Sequence, residues 1–182
     1  MSAPGAKGPR ITVYTQTNSK GALKVCDGPE YSLAFTGFDD KIVSVDVKRG
    51  IWVLYEDVNF GGNIYVVWEG QKINLPMKTT SSLKPIEGDF SDNPSLTVYN
   101  GPSFTGKNKT FNSSNSNLVA TEFQDSITSV FVDSGTWVAY RDVDYQGPQY
   151  LFTRGAFNGT SSEGPFQNDK ISSLRPITRC GC

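Results

Sequence analysis

The chain has 182 residues, enough for one domain of ordinary size or two small ones, and its charge is nearly balanced at 17 basic against 18 acidic residues. It has no cluster of lysine or arginine, so neither nucleic acid nor a membrane is expected among its partners. Histidine is absent, which removes the commonest general base and metal ligand and every Ser-His or Cys-His nucleophile, so the composition argues against an enzyme.

The first ten residues, "MSAPGAKGPR", are small and rich in Pro and Gly, and they predict a flexible arm over 1–10 rather than a signal peptide. No apolar run approaches the ~20 residues that a membrane helix needs. We therefore expect a cytoplasmic protein, with secretion left open. The three cysteines, Cys26, Cys180 and Cys182, are an odd number and predict inert thiols rather than a disulfide framework or a zinc site.

Four segments of the chain begin with a similar tetrapeptide that ends in tyrosine: "ITVY", "WVLY", "LTVY" and "WVAY". In each copy a glycine follows the tyrosine by seven positions and a serine comes late, as in Tyr55, Gly62 and Ser82. Trp52 and Trp137 open the second and fourth copies only, so two kinds of copy alternate, and the pattern recurs after 85 residues. Such repeats predict two domains, each built from one alternating pair of copies.

The repeats place domain 1 at 11–86 (motifs 11–50 and 51–86) and domain 2 at 95–178 (motifs 95–135 and 136–178). The polar segment "EGDFSDNP", 87–94, predicts a linker, and 179–182 form a tail. Apolar residues alternate with period two, as in "WVLYEDV", which indicates strands. Glycine after an aromatic residue, as in "NFGG", predicts a folded hairpin with positive φ and the tyrosine ring against the turn. The predicted fold class is all-β.

The tyrosine, the Phe/Tyr-x-Gly element and the late serine, twice in each domain, resemble the Greek-key motif of the βγ-crystallins over residues 11–177. Copy one departs from the motif, because "NSKG" (18–21) has the glycine without a preceding ring. The resemblance implies two βγ-crystallin-like domains, each a Greek-key β-sandwich of two four-stranded antiparallel sheets.

Many members of that family outside the lens bind Ca²⁺ through a hexapeptide of the form (Asn/Asp)-(Asn/Asp)-x-x-(Ser/Thr)-Ser, and "NDKISS" (168–173) in copy four matches it throughout. Calcium takes six to eight oxygen ligands. The resemblance implies that side chains, a hydroxyl and two carbonyls supply them from Asn168, Asp169, Lys170, Ser172 and, in the paired copy, Asn100. Ile171 would be the buried anchor, and Ser173 would bond the hairpin.

The other three loops match the hexapeptide less completely. For copy three, "QDSITS", the implied ligands are Gln124, Asp125, Ser126, Thr128 and the carbonyl of Arg141. For copy one, "DDKIVS", they are Asp39, Asp40, Lys41 and the carbonyl of Glu56, with Val43 in place of the hydroxyl. Copy two, "MKTTSS", has Met77 and Lys78 where acids belong. We therefore expect calcium mainly in domain 2, where it would stabilise the fold, and with modest affinity because carboxylates are few.

Two other functions stay open at this point. One is a purely structural, long-lived protein of lens type, and the other is a surface or carbohydrate recognition module that uses polar loops such as "NSSNSN" (112–117) and "AFNGTSSEGP" (156–165). Asp142 and Asp144 could suggest a general-acid pair, but "YEDVNF" repeats the feature in copy two and indicates a turn instead. We expect a monomer, or a weak dimer through domain pairing.

Overall fold

The computed structural model describes residues 8–88, 90–124, 126–159 and 171–178. The chain divides into two units, Met1–Glu87 and Gly88–Cys182. The regular elements of the described residues are β-strands and short 3₁₀ turns, so the predicted all-β class is confirmed. None of the helical turns in these segments has the length and apolar character that crossing a membrane requires.

The first sheet of unit 1 is antiparallel and has the strand order β2-β1-β3-β6. Its strands are β1 (Arg10–Gln16), β2 (Lys20–Cys26), β3 (Ser44–Arg49) and β6 (Lys72–Asn74). Copy one supplies β1, β2 and β3, whereas β6 comes from copy two. This exchange of a strand between copies makes the pair of copies, rather than the single copy, the folding unit.

The second sheet of unit 1 contains β4 (Trp52–Tyr55), β5 (Ile64–Val67) and β7 (Ser82–Pro85) in the order β5-β4-β7. A segment of copy one lies beside β7, where Glu30 exchanges two backbone hydrogen bonds with Leu83, at 2.8 and 3.0 Å. The predicted fourth strand is thereby reduced to a single bridge.

Unit 2 repeats this arrangement. Its first sheet has the order β13-β10-β8-β9, formed by β8 (Ser95–Tyr99), β9 (Asn108–Phe111), β10 (Ser129–Ser134) and β13 (Gly155–Asn158). Its second sheet has the order β12-β11-β14, formed by β11 (Thr136–Tyr140), β12 (Gln149–Phe152) and β14 (Ser173–Ile177). Asn115 bridges to Leu174 as Glu30 does to Leu83.

Each unit has its own apolar core between its two sheets, because alternate side chains of each strand point inward. Val13 on β1 and Val98 on β8 are at most 1% exposed, and the side chains of Trp52 and Trp137 are fully buried. Each indole N–H donates to the carbonyl oxygen three residues earlier, at 3.0 and 3.2 Å. The two largest core side chains therefore bury no unsatisfied polar atom.

The folded hairpin predicted for each copy is present. In copy two, Asn59 and Phe60 have φ of 56° and 64°, and Gly62 has φ of 73°. The Phe60 ring lies against Tyr55, with ring centroids 5.4 Å apart. Equivalent ring pairs at 5.7 and 5.6 Å are formed by Tyr99 with Phe104 and by Tyr140 with Tyr145.

The late serine of each copy closes this hairpin. Ser82 is fully buried, and its hydroxyl donates to the carbonyl of Asp57 at 2.6 Å and accepts from the N–H of Phe60 at 3.0 Å. Ser173 makes the same two bonds, to Asp142 and Tyr145, at 2.6 and 3.1 Å. The last serine of the hexapeptide thus has the structural role that the sequence predicted for it.

Gly62→Ala is expected to lower the free energy of unfolding of unit 1 by about 1–3 kcal/mol, since left-handed backbone is unfavourable for a residue with a side chain. An added Cβ would also lie 2.8 Å from a carboxylate oxygen of Asp57. Urea denaturation followed by tryptophan fluorescence measures the loss. Gly28→Ala is the matched control, because nothing lies within 4 Å of its added Cβ. Equal losses in the two variants would contradict the explanation.

Candidate metal centres

The predicted anchor residue of the hexapeptide is buried wherever it is isoleucine. Ile42, Ile127 and Ile171 are at most 1% exposed, so they fix the loops of copies one, three and four to the cores. In copy one Asp40 lies two residues before the anchor, and its φ of 52° is left-handed. Asp tolerates this conformation better than most residues, and it turns the loop sharply before the final strand.

The fifth residue of each hexapeptide is tied to its own copy. Its N–H donates to the carbonyl of the opening tyrosine at 2.8–3.0 Å in the four pairs Val43–Tyr14, Ser81–Tyr55, Thr128–Tyr99 and Ser172–Tyr140. The side chain of the fifth residue therefore lies beside the carbonyl of the residue after the tyrosine. In copy three the Thr128 hydroxyl donates to the carbonyl of Asn100 at 3.2 Å. The prediction combined the carbonyl of Asn100 with the hydroxyl of Ser172 from the paired copy, whereas the structure places the hydroxyl of Thr128, from the same copy, beside that carbonyl.

The acidic residues that lie beside the fifth residue of one copy belong to the other copy of the unit. In unit 1 the N–H of Asp40 donates to the carbonyl of Thr80 at 3.2 Å, and the Ser81 hydroxyl lies 3.5 Å from a carboxylate oxygen of Asp40. The sequence pointed to Val43 as the residue beside these acids. The structure instead brings Ser81 of copy two to them, so the valine does not remove the hydroxyl from this group.

Two buried oxygen atoms of these facing loops have no hydrogen-bond partner among the described residues: Oδ1 of Asp39 and Oγ1 of Thr80. A buried carboxylate oxygen without a donor is costly, and a bound cation is one way to satisfy it. The side-chain atoms of Asp39, Asp40 and Ser81 that could bind a metal are all oxygens, which suits Ca²⁺ rather than a softer metal. Within the described residues no cluster of three or more His, Cys, Asp or Glu occurs, so hydroxyls and carbonyls would have to complete the shell.

Glu56 lies at the edge of the same group. One of its carboxylate oxygens accepts from the Thr79 hydroxyl at 3.4 Å, and the other accepts from the Asn63 side chain at 2.6 Å. These contacts hold the residue whose carbonyl was predicted as a ligand. Lys41 is exposed on the copy-one loop.

The copy-two loop of unit 1 lacks the acidic residues of the hexapeptide. Lys78 is exposed and Met77 is partly buried at the positions where acids were expected. The fifth residue that the reciprocal arrangement would pair with them is Val43, which has no hydroxyl. The structure thus places the oxygen-bearing side chains of unit 1 in one group rather than two.

In unit 2 the predicted ligands Asp125, Asn168, Asp169 and Lys170 lie outside the described residues. The frame around them matches unit 1: the N–H of Leu118 donates to the carbonyl of Ser172 at 2.9 Å, as Leu33 does to Ser81 at 2.8 Å. Ser172 and Thr128 are 4% and 8% exposed. The other described ligands of the prediction are Asn100, Gln124, Ser126 and Arg141. Ser172 thus has the place of Ser81, and Thr128 that of Val43.

Ser81 is a candidate ligand that the sequence analysis missed. Copy two keeps a serine at its fifth position although Met77 and Lys78 replace both of its acids. A hydroxyl kept in a loop without acids is the signal that could have pointed to a site shared between copies.

Two features that could have indicated catalysis have structural explanations. The N–H of Asp144 donates to the carbonyl of Ser116 at 2.7 Å, and φ of Asp144 is 54°, as expected for a turn residue. Burial raises the pKa of the Cys26 thiol to about 12, so no nucleophilic thiolate forms there at neutral pH.

Known proteins are similar to this chain in sequence and in fold. A family model described as Beta/Gamma crystallin matches residues 10–86 and 95–177. Beta-crystallin B2 of Aquarana catesbeiana is 34% identical over 176 residues, which are 92% of this chain and 84% of that protein. Beta-crystallin B2 of Homo sapiens is 32% identical over 182 residues, 96% of this chain and 87% of that protein. The structure of Geodin, a beta-gamma crystallin from Geodia cydonium, is 21% identical, with a TM-score of 0.39 over 93% of this chain and 99% of that one.

Proposed function

This chain belongs to the beta/gamma crystallin family, and on that premise we propose that it is a non-enzymatic structural protein that binds Ca²⁺ between the paired loops of each domain. Calcium adds stability to a fold that forms without it. The observation that carries the proposal is the meeting of Asp40 and Ser81, from different copies, beside the unpartnered oxygen of Asp39.

The contacts in unit 1 support one site there. Its side-chain ligands are the carboxylates of Asp39 and Asp40 and the hydroxyl of Ser81, and the carbonyls of Lys41 and Glu56 add to them. Water completes the six to eight oxygens that calcium takes. Since Met77, Lys78 and Val43 offer neither acid nor hydroxyl, the reciprocal site of unit 1 is not expected to bind.

The same combination of a loop from one copy with the fifth residue of the other predicts two sites in unit 2. One combines the loop of copy three with the fifth residue of copy four, and its ligands are Gln124, Asp125, Ser126, Ser172 and Arg141. The other combines the loop of copy four with the fifth residue of copy three, and its ligands are Asn168, Asp169, Lys170, Thr128 and Asn100. We therefore propose that domain 2 holds most of the calcium.

A purely structural role without calcium is the second candidate. It is favoured by the relatives named Beta-crystallin B2, which are 32–34% identical over 92–96% of the chain, and by Lys78 in a loop that would need an acid. Stability of the folded chain would then be the whole function, and the acids of the loops would serve only as turn residues.

Calorimetric titration of decalcified protein with Ca²⁺ separates these candidates. We expect three ions per chain, and Asp40→Asn is expected to remove one of them, because an amide keeps the shape of the side chain and loses its charge. Asp92→Asn is the matched control, since Asp92 is exposed in the linker. If the wild-type chain takes up no calcium, the calcium proposal fails and the purely structural role stands. If both variants lose binding equally, the assignment of a site to Asp40 fails.

A further inference from the structure

Copy one differs from the other three copies at the tip of its folded hairpin. Ser19 stands where the others have Phe60, Phe104 and Tyr145. The backbone is the same, because φ is 56° at Asn18 and 58° at Ser19, and the N–H of Ser19 donates to the Ser44 hydroxyl at 3.0 Å. Copy one has therefore kept the hairpin and lost the volume of the ring.

A cavity of about 210 Å³ lies at this position, lined by Asn18, Ser19, Lys72, Ile73 and Asn74. In unit 2 the corresponding ring, Phe104, packs edge-on against Phe131, with centroids 6.3 Å apart. The residue of β3 that corresponds to Phe131 is Asp46, which is 8% exposed and bonded to Lys48 at 2.7 Å. A polar cavity thus replaces an aromatic contact.

Two polar groups of the cavity, on Ser19 and Lys72, have no side-chain partner among the described residues. Oγ of Ser19 is buried and has no partner among the described residues. Lys72 is exposed and forms no ion pair with any described residue. The amide oxygens of Asn18 and Asn74 are both occupied, by the Asn74 side-chain NH₂ at 3.2 Å and by the backbone N–H of Asn18 at 2.7 Å.

An anion that accepts hydrogen bonds suits this set, since the ammonium of Lys72 is a cation with donors only and the hydroxyl of Ser19 can donate. The carboxylate of Asp46, which lies opposite Lys72 in the sheet register, is bonded to Lys48 instead. We propose that the cavity at Ser19 binds a small oxyanion, a phosphate or a carboxylate, through the ammonium of Lys72 and the hydroxyl of Ser19. The site is independent of calcium and lies on the first sheet of unit 1.

The test uses the full chain, decalcified beforehand so that calcium phosphate does not form. Inorganic phosphate, sulfate and acetate are titrated separately at constant ionic strength, with chloride as baseline, while backbone amide shifts are followed by ¹⁵N NMR. We expect saturable shifts of the amides of Asn18, Ser19 and Asn74, and the order of the three affinities separates a phosphate site from a carboxylate site. No saturable shift with any of the three anions would overturn the proposal.

Variants locate the site. Lys72→Gln is expected to weaken binding about tenfold or more, because it removes a charged hydrogen bond. Lys78→Gln removes the same charge from an exposed lysine of the same unit outside the cavity and should leave the affinity unchanged. Equal weakening in both variants would show nonspecific attraction and overturn the proposal.

Ser19→Phe is expected to abolish the shifts by filling the cavity, and to raise the melting temperature by pairing a ring with Tyr14 as in the other copies. Ser19→Ala is the smaller change: it keeps the cavity, removes the hydroxyl and should weaken binding several-fold. Undiminished binding in Ser19→Ala and in any folded Ser19→Phe would place the anion elsewhere and contradict the assignment.

Discussion

Saturating calcium is expected to stabilise unit 2 about twice as much as unit 1. A ligand that binds only the folded state adds about 2.7 kcal/mol per site at a hundred times its dissociation constant. Two independent sites in unit 2 then add about 5 kcal/mol, and the single site of unit 1 adds about half of that. The difference follows from Lys78 and Val43, which remove the second site of unit 1.

Scanning calorimetry with excess calcium and with excess EGTA measures this difference as two shifts in melting temperature. Asp40→Asn assigns the transitions, because it should abolish the smaller shift and leave the larger one. Magnesium at the same concentration controls for screening, since it demands octahedral geometry and gives up its water reluctantly. Equal shifts of the two transitions, or a larger shift for unit 1, would contradict the count of sites.

The parts of the fold that depend on spacing within a copy could be predicted from the sequence. The interval from Tyr55 to Gly62 indicates the hairpin, since glycine adopts positive φ at the lowest cost, and the late serine is the group that can bond both sides of the hairpin. These features are local: the residues that specify them are the residues that make the contacts.

The parts that depend on contacts between copies could not be predicted in the same way. Strand exchange places β6 in the sheet of copy one and Ser81 beside Asp40. This exchange does not affect the spacing of residues within either copy. The missing fourth strand has a similar origin, because the segment at Glu30 gains its bridge from Leu83 in copy two. The residue beside Asp40 therefore cannot be identified from the fifth residue of its own hexapeptide.

The two neighbouring serines of copy two are expected to separate folding from calcium binding. In calcium-free buffer, Ser82→Ala should lower the free energy of unfolding of unit 1 by about 2–4 kcal/mol, because the carbonyl of Asp57 and the N–H of Phe60 lose their buried partner. Ser81→Ala should cost less than about 1 kcal/mol there, since its hydroxyl makes a long contact with Asp40, at 3.5 Å.

The effect of calcium on stability is expected to distinguish the two substitutions in the opposite sense. Ser81→Ala removes a ligand and should abolish or strongly weaken the calcium-dependent stabilisation of unit 1, whereas Ser82→Ala should keep that stabilisation on a lower baseline. Urea denaturation of each variant with calcium and with EGTA measures both quantities in one experiment. If Ser81→Ala kept the full calcium effect, the hydroxyl would not be a ligand, and the meeting of Asp40 with Ser81 would be only a packing contact. If Ser82→Ala lost the calcium effect as well, the hairpin would be needed to hold the carbonyl of Glu56 in place, and the two roles could not be assigned to separate residues.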